Sequence, residues 1–294
     1  MATRRAPQGA QAARLIRLAV RCPTELAERV LGELVVMAPN GFEEETGEGW
    51  VEYAIYGPPG ELPSLGEIQA AAGDGLVEVS TTEIPDDWAD RWRDFHEAVV
   101  VGGRLRVAPS WDEEGGGEAD ITVVVDPGQA FGTGAHATTR MCLELLLELA
   151  DRGEARGALT DLGTGSGVLA IAAAKLGWGP VSGFDYEAPA LDAATENAAA
   201  NGVELAARRV NLREELPELA PTMVANLTAP LLLEVAGRIV EAPRHLVCSG
   251  MLRPEADDVA EAFSARGLEV RTRRDDGDWT ALALVGDVDR ETGG

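Results

Sequence analysis

The chain has 294 residues, enough for two domains, and is 45% hydrophobic but only 5% aromatic, so Leu, Val, Ala and Ile must fill its cores. Fifty acidic residues face twenty-five basic ones, a formal net charge of −25. That surface repels phosphate backbones, which argues against direct nucleic-acid binding, and it suits a basic protein as partner.

Leu15 to Arg21 reads as a strand, and Thr24 can cap a helix running to about Met37 with Leu26, Val30, Leu31 and Leu34 on one face. Phe42 to Glu45 and Trp50 to Tyr56 flank a Thr46-Gly47-Glu48-Gly49 turn, a hairpin signal. Leu65 to Ala72 suggests a short helix, and Leu76 to Glu83 alternates like a strand. The order β-α-β-β-α-β is that of the ferredoxin-like split unit, so residues 1–84 are expected to form a small α+β domain. Residues 85–125 read as a linker segment. In it Trp88, Trp92 and Phe95 share a helical face and are expected to be buried, while Gly115-Gly116-Gly117 marks an exposed turn.

Residues 126–294 read as a third part. A glycine-rich loop leads into a helix from about Ala137 to Ala150, with Thr138 or Thr139 as a possible cap. Strands are expected near Leu159, Val181 to Asp185, Leu205 to Arg209, Met223 to Asn226, His245 to Ser249, Leu268 to Arg273 and Trp279 to Val285. Helices fall between most of them, near Val168 to Leu176, Ala188 to Asn201, Pro230 to Ile239 and Pro254 to Ala265. That alternation implies a doubly wound parallel α/β sheet. Asp275-Asp276-Gly277-Asp278 joins the last two strands without a helix, so they are expected to form an antiparallel hairpin. A seven-stranded sheet with one reversed strand is the class I methyltransferase variant of this fold.

Four motifs carry chemistry. Asp161-Leu162-Gly163-Thr164-Gly165-Ser166-Gly167 lies between a strand and a helix, where Gly163 and Gly165 let the backbone approach a ligand. Its third glycine comes one residue earlier than a dinucleotide fingerprint requires, which leans away from NAD and toward S-adenosyl-L-methionine. Asp185 ends the next strand about 20 residues on, where an acid accepts ribose hydroxyls. Asn226 ends the strand Val224-Ala225-Asn226, at the edge where open α/β sheets bind ligands, and its oxygen can accept from an amine. The loop Asp126-Pro127-Gly128-Gln129-Ala130-Phe131-Gly132-Thr133-Gly134-Ala135-His136-Ala137-Thr138-Thr139 can form a lid, with Phe131 over an apolar part of the ligand and His136 as a possible base.

These motifs, in this order, resemble the ribosomal protein L11 methyltransferase family (the PrmA family), whose loop signature is D-P-G-x-A-F-G-T-G-x-H-x-T-T. Asp86 to Trp92, Val107 to Trp111 and Ser249-Gly250-Met251-Leu252 resemble further segments of it. Ala137 stands where the family usually has proline, and Asn226 to Pro230 is one residue shorter than the common run. The resemblance implies that Thr139, Gly163, Asp185 and Asn226 contact the methyl donor. It also implies that lysine or α-amino groups of a basic ribosomal protein accept the methyl groups and that the N-terminal domain holds that protein. A methyltransferase for another substrate, a nucleotide-dependent oxidoreductase and a silent ribosome-binding module are the alternatives.

No apolar run reaches the length of a membrane helix or of a signal-peptide core, so a cytoplasmic protein is expected. Cys22, Cys142 and Cys248 are scattered and odd in number, and read as buried thiols with no metal. A monomer is expected.

Overall fold

The computed structural model describes residues 16–27, 30, 43–47, 49–57, 78–83, 98–112, 119–126, 134 and 136–286. Most of the first helix, the helix at Leu65 to Ala72, the Trp88, Trp92 and Phe95 face, the Gly115 to Gly117 turn and Phe131 lie outside the described residues. Residues 1–95 and 96–294 form two compact units.

In the first unit, β1 (Ile16–Pro23), β2 (Glu43–Gly47), β3 (Trp50–Gly57) and β4 (Glu78–Glu83) make an antiparallel sheet in the order β2-β3-β1-β4. This is the strand order expected of the split unit. Alternation places Leu18, Val20 and Cys22 on one face, directly opposite Ile55, Tyr53 and Val51, and these six residues form the core of the unit with Val30. On the other face Glu52 accepts from Arg17 at 2.7 Å and Arg21 at 2.9 Å.

The second unit opens with three short strands, β5 (Val99–Val101), β6 (Leu105–Ala108) and β7 (Ile121–Val124), paired in the order β5-β6-β7. They occupy the segment read as a linker, and the sequence reading did not anticipate them. Their buried residues Val101, Leu105, Val107 and Val123 share a core with α1 (Ala137–Asp151). The helix also packs on the large sheet, which explains why Met141, Leu143, Leu145, Leu147 and Leu149 are all buried although they do not share a single stripe. Truncating fully buried Leu146 to Ala would cost about 2–5 kcal/mol.

The large sheet comprises β8 (Leu159–Leu162), β9 (Val181–Asp185), β10 (Leu205–Arg209), β11 (Thr222–Asn226), β12 (His245–Leu252), β13 (Leu268–Asp276) and β14 (Trp279–Gly286). Its order is β10-β9-β8-β11-β12-β14-β13. The first five strands in that order are parallel, and β14 runs antiparallel to both β12 and β13. Crossovers use α2 (Val168–Leu176), α3 (Ala188–Ala200), α4 (Ala229–Arg238) and α5 (Ala256–Ser264). Central β8 is buried at all four positions, as a strand covered on both faces must be. The expected seven-stranded class I methyltransferase architecture is present.

Cys22, Cys142 and Cys248 are buried free thiols. No helix among the described residues is long and apolar enough to cross a membrane.

Candidate active site at the carboxyl edge of the sheet

Strand register assembles the site. Leu162 pairs with both Phe184 and Ala225, so the next residue of each strand or its loop (Gly163, Asp185, Asn226) reaches the same carboxyl edge. Strand order reverses between β8 and β11, and their connections leave toward opposite sides. The crevice this opens is where doubly wound folds bind ligands. A separate cavity of about 610 Å³, between Leu216 to Pro221 and Arg238 to Arg244, lies at the opposite edge, before β11 and β12 begin.

The glycine loop is held from within. Gly163 has φ +70°, the left-handed conformation that favours glycine, and a Cβ there would lie 2.3 Å from Leu227 Cδ2 and push that side chain aside. The Gly163 and Thr164 N–H groups donate to Phe184 O at 2.8 and 3.0 Å. Gly165 N–H donates to Asp185 Oδ2 at 3.0 Å, and Glu187 N–H to Asp185 Oδ1 at 3.1 Å. The Gly165 N–H is therefore already engaged, and Gly165 contributes the shape of the loop. Each Asp185 oxygen keeps a lone pair for a hydroxyl.

Asp161 was read from sequence only as the start of the glycine motif. It is fully buried below the loop, with Thr164 Oγ1 donating to Oδ2 at 2.8 Å and Oδ1 lacking a hydrogen-bond partner. Burial pushes its pKa up to about 7; the Thr164 hydroxyl and the Ala170 backbone oppose the rise, and the Asp185 charge adds to it. An orphaned carboxylate oxygen under the loop, with a second carboxylate beside it, disfavours a pyrophosphate and favours a ligand with positive charge. S-Adenosyl-L-methionine, a sulfonium with an α-ammonium group, fits that requirement.

Asn226 Nδ2 donates to Thr138 Oγ1 at 3.2 Å and to Thr139 Oγ1 at 3.4 Å, which brings the start of α1 to the end of β11. The cap of α1 corrects the sequence reading: His136, not Thr138 or Thr139, is the N-cap, its side chain accepting from Thr138 N–H. An imidazole with one unprotonated nitrogen serves as acceptor there much as an Asn or Ser oxygen does, and the two threonines fall inside the first turn. Burial, then the Arg140 charge, lower the His136 pKa.

Two further residues escaped the sequence reading. On α3, Asn197 Nδ2 donates to Ser166 O at 2.8 Å and its Oδ1 accepts from Asp126 N–H at 3.4 Å, which joins the glycine loop to the start of the 126–139 loop. One turn later Asn201 brackets Val124, accepting from its N–H at 2.8 Å and donating to its C=O at 2.6 Å. Among the described residues no group of His, Cys, Asp and Glu is arranged to hold a metal.

The family model described as "Ribosomal protein L11 methyltransferase (PrmA)" matches residues 64–286. A protein named ribosomal protein L11 methyltransferase from Geotalea uraniireducens (strain Rf4) is 39% identical over 213 residues, covering 68% of this chain and 67% of that one. Another of that name from Symbiobacterium thermophilum is 32% identical over 308 residues, covering 92% and 99%. The crystal structure of ribosomal protein L11 methylase from Lactobacillus delbrueckii subsp. bulgaricus matches with a TM-score of 0.57 at 26% identity, over 65% of this chain and 99% of that one.

Proposed function

Since the chain belongs to the ribosomal protein L11 methyltransferase (PrmA) family, we propose that it transfers methyl groups from S-adenosyl-L-methionine to lysine or α-amino groups of ribosomal protein L11. The observation that carries this reading is the shared edge of Gly163, Asp185 and Asn226, with Thr139 bonded to Asn226.

In this reading Asp185 accepts the ribose hydroxyls of the donor, Gly163 and Gly165 let it approach the backbone, and Phe131 and Thr139 close over it. Asp161 lies below the loop as the counter-charge. When bound, the donor would supply an electrophilic methyl on a sulfonium, with a neutral thioether as the leaving group.

The chain's own work is to position and desolvate. A lysine amine has a reference pKa of about 10.4 and must be neutral to attack, and lowering it by about three units corresponds to roughly 4 kcal/mol. Asn226 Oδ1 accepts from the amine N–H and aims its lone pair, which makes Asn226 the catalytic residue. The departing proton passes to solvent.

The first unit is the part we assign to holding the basic substrate protein, and the net charge of −25 favours such a partner in the cytoplasm. The test is transfer of labelled methyl from S-adenosyl-L-methionine to purified ribosomal protein L11, with Asn226→Ala as control. Label that depends on Asn226 supports reaction, substrate and residue together. No label on L11 with donor binding intact would remove the substrate and leave the methyltransferase.

A further inference from the structure

One side-chain chain leads from the α1 cap to Asn226. His136 Nδ1 accepts from Thr138 N–H at 3.3 Å, and Thr138 Oγ1 lies 2.8 Å from the same nitrogen. A ring nitrogen that accepts from an N–H carries a lone pair, so the hydroxyl must also donate to it. A hydroxyl has one proton. With that proton on His136, Thr138 Oγ1 offers only lone pairs to Asn226, 3.2 Å away. The carboxamide must therefore present its nitrogen to Thr138. Its carbonyl oxygen is left at the opposite end, with no hydrogen-bond partner among the described residues.

The state of His136 agrees with this order of donors. Burial and the Arg140 charge favour its neutral form. Arg140 is in turn paired with Asp276 of the β13–β14 hairpin at 2.6 Å, and Trp279 of the same hairpin packs edge-on to the ring with centroids 5.1 Å apart. The ring is thus fixed in place by its own helix and by β14.

We propose that His136 is a positioning residue. Through the Thr138 hydroxyl it locks the Asn226 carboxamide with its carbonyl oxygen toward the amine that accepts the methyl group. The inference rests on the assignment of Asn226 given above. It differs from plain helix capping, because a cap needs only the Thr138 backbone N–H, whereas orienting Asn226 needs the Thr138 side chain.

Two experiments on the full chain test it. Side-chain ¹⁵N NMR needs no acceptor protein: His136 should be the tautomer with Nδ1 unprotonated, and a proton on Nδ1 would overturn the proposal. Single-turnover transfer to ribosomal protein L11 gives the second readout. Thr138→Val should lower the rate by about 10-fold or more, as expected for a misdirected hydrogen bond, while donor affinity stays within about twofold. Thr138→Ser should restore the rate. His136→Leu should match Thr138→Val and add nothing to it in the double variant, whereas His136→Asn, which keeps an acceptor at the cap, should retain most of the rate. Thr138→Val at full rate with Asn226→Ala inactive would overturn this inference alone. Asn226→Ala at full rate would overturn the Asn226 assignment and this inference with it.

Discussion

Gly165 N–H donates to Asp185 Oδ2 at 3.0 Å, which ties the glycine loop to the end of the neighbouring strand. Glu187 N–H occupies the other carboxylate oxygen, so Asp185 needs acceptors at both ends before it meets any ligand. Asp185→Ala should weaken S-adenosyl-L-methionine binding by about 1.5–3 kcal/mol, the range for hydrogen bonds to a charged group. Asp185→Asn should be nearly as poor, because its amide would set an N–H against a backbone N–H. Calorimetry decides: wild-type affinity in Asp185→Asn would rule out the two-ended role.

Asp161 makes stability depend on pH. Its folded pKa of about 7 lies above the usual carboxylate value of 3.8, so between about pH 4 and 7 the folded state holds a proton that the unfolded state has lost. Stability should therefore fall as pH rises through that window, by up to about 4 kcal/mol for three units. Asp161→Asn removes this slope, so denaturant unfolding should show the variant gaining on wild type between pH 5 and pH 8. A difference independent of pH would refute it. Donor binding should also strengthen as pH rises through 7, since the ionised carboxylate favours a cationic ligand.

The parallel sheet was legible because each of its elements has a strong signal. Leu159-Thr160-Asp161-Leu162 runs straight into a glycine turn, and Val168 to Leu176 is an apolar helix with no competing period. The strands at 99–101, 105–108 and 121–124 were not legible, because three or four residues give no alternation to count. The placement of Asp185 and Asn226 at one edge of the sheet was legible because the carboxyl ends of parallel strands line up in this fold. Asn197 and Asn201 looked like ordinary polar positions of an Ala-rich helix, and only their spacing of four, on one helical face, pointed to a shared partner. The orphaned oxygen of Asp161 had no sequence signal, since it depends on what fails to reach it.

Asn197 links the glycine loop to Asp126, just past the end of β7, so its loss should be felt in both stability and binding. Asn197→Leu keeps the bulk and leaves Ser166 O and Asp126 N–H without their partner, at a cost of about 1–3 kcal/mol for each group that stays dry. Urea unfolding should show that loss, and donor affinity should fall with it. Reduced stability with unchanged affinity would show that Asn197 supports the fold without coupling the loops.

Gly250 should be as demanding as the residues assigned to the donor. It sits where the β12–β14 register shifts, at φ +89°, and a Cβ there would lie 2.4 Å from Leu227 O. That neighbour is backbone, one residue past Asn226, and cannot rotate aside. Gly250→Ala should cost about 1–3 kcal/mol from the left-handed conformation alone. The rest of the strain falls on the Leu227 backbone, directly after Asn226, so single-turnover methyl transfer should drop by more than donor affinity does. Leu227→Ala should not rescue it, because the clash is with a carbonyl oxygen and not with the leucine side chain. Rescue by Leu227→Ala, or a rate that falls only as far as affinity, would place the effect in side-chain packing and not in the path of the β11 backbone.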